Sequence, residues 1–174
     1  MAGQVQAQRK SLYTPEQRIR RDRSTWTLVQ GVLAPVQFLV FLISLALVVR
    51  FLMTGDGENA AAISVLIKTF VLYAIMITGA IWEKDVFGQY LFADAFYWED
   101  MVSMLVLTLH TAYLVCYFFG YLSPAGQMLL ALAAYATYVV NAAQFLWKLR
   151  SARLEAPRGT ERTVNAKGLA EAAR

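Results

Sequence analysis

Four stretches of about 20 mostly apolar residues, each long enough to cross roughly 30 Å of hydrocarbon as a helix, dominate this chain. They run from Val32 to Phe51 (VLAPVQFLVFLISLALVVRF), from Ala60 to Trp82, from Glu99 or a turn earlier to Gly120, and from Pro124 to Trp147. A backbone in lipid must satisfy its own N–H and C=O groups, so such spans fold as α-helices. The expected class is therefore all-α: a polytopic membrane four-helix bundle with short connections between antiparallel neighbours. Composition agrees, because 58% hydrophobic and only 16% charged residues do not suit a soluble domain. The first window is too long for the apolar core of a cleaved signal and lacks a small-residue cleavage site, so it reads as retained.

Position explains the net charge of +4. Arg9, Lys10, Arg18, Arg20, Arg21 and Arg23 precede the first span, and Lys148, Arg150, Arg153, Arg158, Arg162, Lys167 and Arg174 follow the last; only Arg50, Lys68 and Lys84 lie between. Basic residues flanking membrane spans mark the cytoplasmic side, so both termini are expected there. No aromatic-interleaved basic groove accompanies the charges, which argues against nucleic acid as a partner. The segment divides into a tail over 1–31, a membrane domain over 32–149 and a second tail over 150–174 that is Ala-rich, polar and expected to lack order after Pro157. In the first tail, Thr14-Pro15-Glu16-Gln17 has the form of a capping box, which predicts a short amphipathic helix over QRIRRDR on the anionic leaflet. A solvated basic tail is the competing reading. Ser123-Pro124 likewise reads as an N-cap and first helical residue. Cys116 is the single cysteine, so neither an intramolecular disulfide nor a cysteine metal site is expected.

The linkers TGDGEN and GYLSP suit the outer face, whereas EKDVFGQYLFADAFYWED, from Glu83 to Asp100, differs in kind. It combines five acids with Phe87, Tyr90, Phe92, Phe96, Tyr97 and Trp98. Aromatic rings with polar edges collect at headgroup level, so this linker is expected to fold back on the inner interface. Closing it could bring Glu83, which ends span two, to Glu99, which begins span three. Carboxyl groups at a dry interface repel one another and one can retain a proton near neutrality, although acids flanking a span are more often simply solvated.

Polar residues inside spans need partners or a function. Glu99, Ser103, Val106, His110, Tyr113 and Tyr117 recur at spacings of four and three, which places them on one helical face. Gln127, Ala131, Ala134, Tyr138, Asn141 and Phe145 form a matching face on span four, and the two faces can meet around a cleft. The competing reading makes Gln37, Ser103, Tyr138 and Asn141 interhelical hydrogen-bond glue, and gives His110 a structural role. Lys68 is expected to snorkel towards Asp56 or Glu58. Pro35 is expected only to kink span one.

The stretches LYTPEQRIRRDRSTWTLVQGVLAPVQFLVFLISLALVVRFL, LYAIMITGAIWEKDVFGQYLFADAFYWEDMVSMLVLTLHTAYLV and QMLLALAAYATYVVNAAQFLWKLR closely resemble the 2-vinyl bacteriochlorophyllide hydratase family, also called chlorophyllide 3-vinyl hydratase. The resemblance covers about Leu12 to Leu154, and WTLVQGVLAP, GAIWEKDVFG and WEDMVSML are its specific blocks. It implies a hydro-lyase of bacteriochlorophyll biosynthesis in anoxygenic phototrophs, adding water across the 3-vinyl group of a magnesium chlorin to give a 1-hydroxyethyl group. Other enzymes of that pathway are then possible partners. It carries over no residue roles, so the site must be argued from chemistry.

Protonation of a vinyl group at its terminal carbon leaves a cation delocalised into the macrocycle, which water then attacks. The residues suggest Glu99 as proton donor, Glu83 or Asp100 holding the water, and His110 or Tyr113 reaching the substrate's magnesium. Magnesium's preference for oxygen argues mildly against a direct histidine bond. Ser103, Asn141, Tyr138, Gln37 and Trp98 complete the expected substrate contacts, with Phe87 to Trp98 as lid and stacking surface. No cofactor is expected, since the magnesium belongs to the substrate. The alternative is a membrane pigment-binding or assembly subunit that performs no chemistry.

Overall fold

A computed structural model describes residues 12–155. Residues 1–11 and the tail from 156 on, including the stretch expected to lack order, lie outside the described residues. Five helices follow one another: α1 (Pro15–Arg23), α2 (Thr25–Thr54), α3 (Glu58–Phe87), α4 (Tyr97–Phe119) and α5 (Pro124–Glu155). There is no strand among the described residues.

The four longer helices are apolar and long enough to cross a bilayer. At about 1.5 Å per residue the 30-residue helices α2 and α3 span about 45 Å, so their ends project beyond a hydrocarbon layer of roughly 30 Å. Their surface is inverted relative to that of a soluble bundle. Leu39, Ile43, Ile67, Phe70, Leu105 and Val140 are exposed, while Gln37, Ser44, Lys68, Ser103, His110 and Asn141 are buried. An apolar exterior around a polar interior is what lipid as solvent selects.

α2 packs along α3 and α4 along α5, as two antiparallel hairpins; contacts between the hairpins are sparser. Gln30 donates to Thr78 Oγ1 at 2.8 Å, and Trp82 Nε1–H donates to Thr27 Oγ1 at 2.9 Å, which fixes the α2–α3 register. Across the seam, Ser44 Oγ lies 2.7 Å from Ser64 Oγ and 2.6 Å from the Tyr135 hydroxyl, tying α2 to both α3 and α5. Phe41 packs edge-on to Tyr135 in the same layer. α2 continues through Pro35, which has no amide hydrogen to give the Gly31 carbonyl four residues back.

The ends are capped as their residue types dictate. Ser123 Oγ accepts from the Gly126 amide at 3.2 Å and starts α5. Gly88, at φ 90°, ends α3 in the left-handed conformation that a glycine adopts without a Cβ penalty. Thr14 and Gln17 form the reciprocal capping box of α1, with Thr14 N–H donating to Gln17 at 2.9 Å and Gln17 N–H to Thr14 at 3.2 Å. Thr14→Ala is expected to cost about 1 kcal/mol of local stability. Hydrogen exchange should then show faster amides in α1 and unchanged protection in α3.

α1 lies against α3, at the bundle end that also holds the α3–α4 linker and the last turns of α5. A second core forms there from Tyr13, Val86 and Phe96, with Trp82, Phe87 and Phe145 packed around it. Phe96 stacks on Phe145 with ring centroids 5.8 Å apart, and Tyr13 stacks on Phe87 at 5.8 Å. Burial pushes the Tyr13 phenol up, against the opposing pull of the Arg21 guanidinium above its ring.

Candidate active site

Three acids converge where the linker joins α3 to α4. Glu83, Glu99 and Asp100 are all buried. The Glu83 and Asp100 carboxyl groups face each other closely enough to interact. A proton placed between two such carboxyl groups would relieve their mutual repulsion, one of the pair then being a carboxylic acid. The linker backbone anchors both: the Phe92 amide donates to Asp100 Oδ2 at 2.8 Å, and the Ala93 amide to Glu83 Oε2 at 3.3 Å. Of the two amide bonds, the one to Asp100 is the shorter.

Phe92 stands at φ 60°, a left-handed conformation that a bulky aromatic residue rarely adopts. Such strain costs on the order of 1–3 kcal/mol and persists where the surroundings over-determine it. Here the two amides aimed at the acids do so.

Glu99 does not meet Glu83. Successive helical residues differ by about 100° in direction, so Asp100 faces α3 while Glu99 faces α5. There it pairs with Lys148, Nζ to Oε2 2.5 Å. The expectation of a Glu83–Glu99 contact is corrected to a Glu83–Asp100 contact. The Lys148 ammonium also lies 5.0 Å from the Phe96 ring centroid, and so joins the acids to the aromatic core.

Further along the bundle, Asn141 Nδ2–H donates to Ser103 Oγ at 2.8 Å, a bond between α5 and α4. Several other polar atoms of the interior make no such bond. Both amide atoms of Gln37, the Tyr113 hydroxyl, His110 Nε2 and Asn141 Oδ1 are buried without a hydrogen-bond partner among the described residues. His110 Nδ1 lies 2.8 Å from the Val106 carbonyl. A carbonyl only accepts, so Nδ1 carries the hydrogen and Nε2 presents a lone pair to the interior. Lys68 does not snorkel: it is wholly buried, and its Nζ lies 3.9 Å from the Tyr138 ring centroid. On a helix the side chain at 68 follows the inward phase of Ala61, Ser64, Val65 and Leu72, which the hydropathy of the span conceals.

The linker aromatics divide. Phe87 and Phe96 enter the second core, whereas Tyr90, Tyr97 and Trp98 are exposed, Trp98 by 72%. Trp98 therefore belongs to the outer surface beside Tyr97 rather than to the interior.

Sequence comparison decides what kind of chain carries these groups: the family model for 2-vinyl bacteriochlorophyllide hydratase matches residues 13–151. The chain belongs to that family. A protein named 2-vinyl bacteriochlorophyllide hydratase from Rhodobacter capsulatus is 67% identical over 149 residues, covering 85% of this chain and 86% of the relative. One of the same name from Cereibacter sphaeroides is 67% identical over 150 residues, covering 86% and 92%. No solved structure matches.

In this member of the hydratase family, the sequence pattern placed Glu99, Ser103, Val106, His110, Tyr113 and Tyr117 on one face of α4, and the structure buries the first five, with Tyr117 half-buried. It missed Lys148 as a partner for Glu99, the Phe92 and Ala93 amides, and Lys68. Only Lys68 left a signal, as a lone basic residue inside an apolar span.

Proposed function

We propose that this chain adds water across the 3-vinyl group of chlorophyllide or a vinyl bacteriochlorophyllide, giving the 3-(1-hydroxyethyl) product. Membership of the hydratase family supports the reaction, and the single structural observation that carries its placement is the buried Glu83–Asp100 pair, which we read as sharing one proton that sits on Glu83, because the shorter amide bond stabilises Asp100 as the carboxylate. The proton source is thus Glu83 rather than Glu99, since Glu99 is held by a lysine as a carboxylate.

The steps balance without a redox partner. Glu83 gives its proton to the terminal vinyl carbon, and the π electrons form the new C–H bond. The inner carbon becomes cationic, with charge spread into the macrocycle. Water held by Glu99 or Asp100 attacks there, and its surplus proton returns to the Glu83–Asp100 pair. General acid–base help of this kind contributes typically about 10²–10⁴-fold. No cofactor enters, because magnesium arrives with the substrate.

The slot is the seam between the α2–α3 and α4–α5 hairpins, entered sideways from lipid. Phe96 and Phe145 provide flat apolar surface at its acidic end. His110 is eleven residues, or about 16 Å, from Glu99 along α4. That exceeds the half-width of a chlorin, so a plate whose vinyl group reaches the acids leaves its magnesium short of His110. Gln37, Ser103, Tyr113, Tyr138 and Asn141 line the interior that the plate crosses.

The basic residues of α1 and of the end of α5 support a topology in which the acid cluster and both termini face the cytoplasm across a bacterial inner membrane, with α1 at the headgroups. The test is direct. Membranes containing the protein, incubated with chlorophyllide in D2O, are expected to yield a product heavier by one D2O, with a single deuterium in the new methyl group. Chlorins recovered unchanged in every case would refute the reading.

A further inference from the structure

We propose that Lys68, with His110 and Tyr113, forms a second polar site midway along the bundle that receives the carboxyl group of the substrate's propionate side chain. This rests on the hydratase reading and extends it to the way the chlorin lies.

The described residues include two partly or wholly buried lysines, and they are treated differently. Lys148 has a carboxylate, Glu99. Lys68 is 0% exposed and has no hydrogen-bond or ion-pair partner among the described residues; the face of the Tyr138 ring approaches it, and the His110 side chain is near enough to interact with it electrostatically. An ammonium in the interior of a membrane bundle is costly unless an anion or acceptor meets it, and such residues mark ligand sites. The groups beside it are equally unspent. His110 Nε2 and the Tyr113 hydroxyl have no partner and are wholly buried, one turn apart on the α4 face.

Together they offer a cationic donor, a hydroxyl donor and a lone pair. A carboxyl group is complementary to that set. Its oxygens accept from Lys68 and Tyr113, and where it carries a proton its O–H donates to His110 Nε2. Lys68 stands on one hairpin, His110 and Tyr113 on the other, so the ligand binds in the seam.

Distance selects which carboxyl group this is. Tyr138, on whose ring Lys68 sits, and Lys148, which holds Glu99, are ten residues apart on α5, about 15 Å along the axis. That is the scale of a chlorin measured from one peripheral substituent to another. A plate standing edge-on in the seam thus brings its propionate to Lys68 while its vinyl group lies at Glu83 and Asp100.

Chlorophyllide and its propionate methyl ester, titrated into the solubilised protein and followed by chlorin fluorescence, test this, with hydration assayed in the same samples. The wild type is expected to bind the free acid at least about tenfold more tightly than the ester. Lys68→Met should weaken the acid to the level of the ester, leave the ester unchanged, and melt at the same or a higher temperature, since an unpaired buried charge has been removed. Equal affinity of the wild type for acid and ester overturns the proposal, whether or not water is added. So does a Lys68→Met protein that weakens both ligands equally or melts lower with unaltered binding. Should that variant fail to accumulate, the wild-type comparison and Lys68→Gln decide in the same way. Discrimination between acid and ester without hydration leaves this site standing and removes the hydratase reading instead.

Discussion

Glu83→Gln is expected to lower the hydration rate by about 10²–10⁴-fold, with little change in the affinity for the chlorin. The reason is local to the carboxyl pair. A glutamine amide fills the space of the glutamic acid and can donate to Asp100 as the acid does, while its carbonyl keeps the Ala93 amide bond. Packing, the Phe92 conformation and the linker therefore survive, and only the transferable proton is lost. Glu99→Gln tests the opposite assignment. Its carboxylate is engaged by Lys148 at a site where the two side chains remain 10% and 25% exposed, so its loss should cost less in rate. The measurement is single-turnover hydration by each variant beside the wild type, with thermal stability recorded for each. A greater loss in Glu99→Gln than in Glu83→Gln would return the role of acid to Glu99.

The two substitutions separate because of something the sequence does not reveal. Hydropathy alone located four helices long enough to cross a bilayer, since a run of apolar residues of that length has few other solutions. The three-four spacing gave the buried face of α4, and Ser123 and Thr14 gave two helix starts. Each of these is a local property. Whether Glu83 meets Glu99 or Asp100 depends on the rotation with which α4 emerges from the linker, and that rotation is set by the positive φ of Phe92 and by Phe96 seated between Trp82 and Phe145. No composition rule encodes it. Lys148 was legible as a positive-inside residue, but its second use, holding Glu99, requires knowing that α5 runs antiparallel to α4 in the observed register. Tyr13 shows the same limit, since nothing around Leu12-Tyr13-Thr14 announces that the ring will stack on Phe87 across α1.

Phe96→Ala should be the most damaging single change to the structure around the acids. The ring is 1% exposed and touches four aromatic neighbours: Trp82 at 5.6 Å, Phe87 at 5.8 Å, Phe145 at 5.8 Å and Tyr13 at 6.4 Å between centroids. Removing a buried phenylalanine typically costs about 3–5 kcal/mol, through lost transfer energy and the cavity left behind. Because Phe96 precedes α4 and its own amide closes the turn to the Ala93 carbonyl at 2.7 Å, that cost falls on the linker. The strained Phe92 should then relax, releasing its amide from Asp100 and the Ala93 amide from Glu83. Hydrogen exchange is expected to show rapid loss of protection over residues 88–96, while the layer of Ser44, Ser64 and Tyr135 remains protected. Hydration should fall together with the linker, although every acid is still present. Phe96→Leu, which refills most of the volume, should recover much of both. Unchanged exchange at Phe92 and Ala93 in the alanine variant would mean that the acids hold the linker, rather than the aromatic core holding the acids.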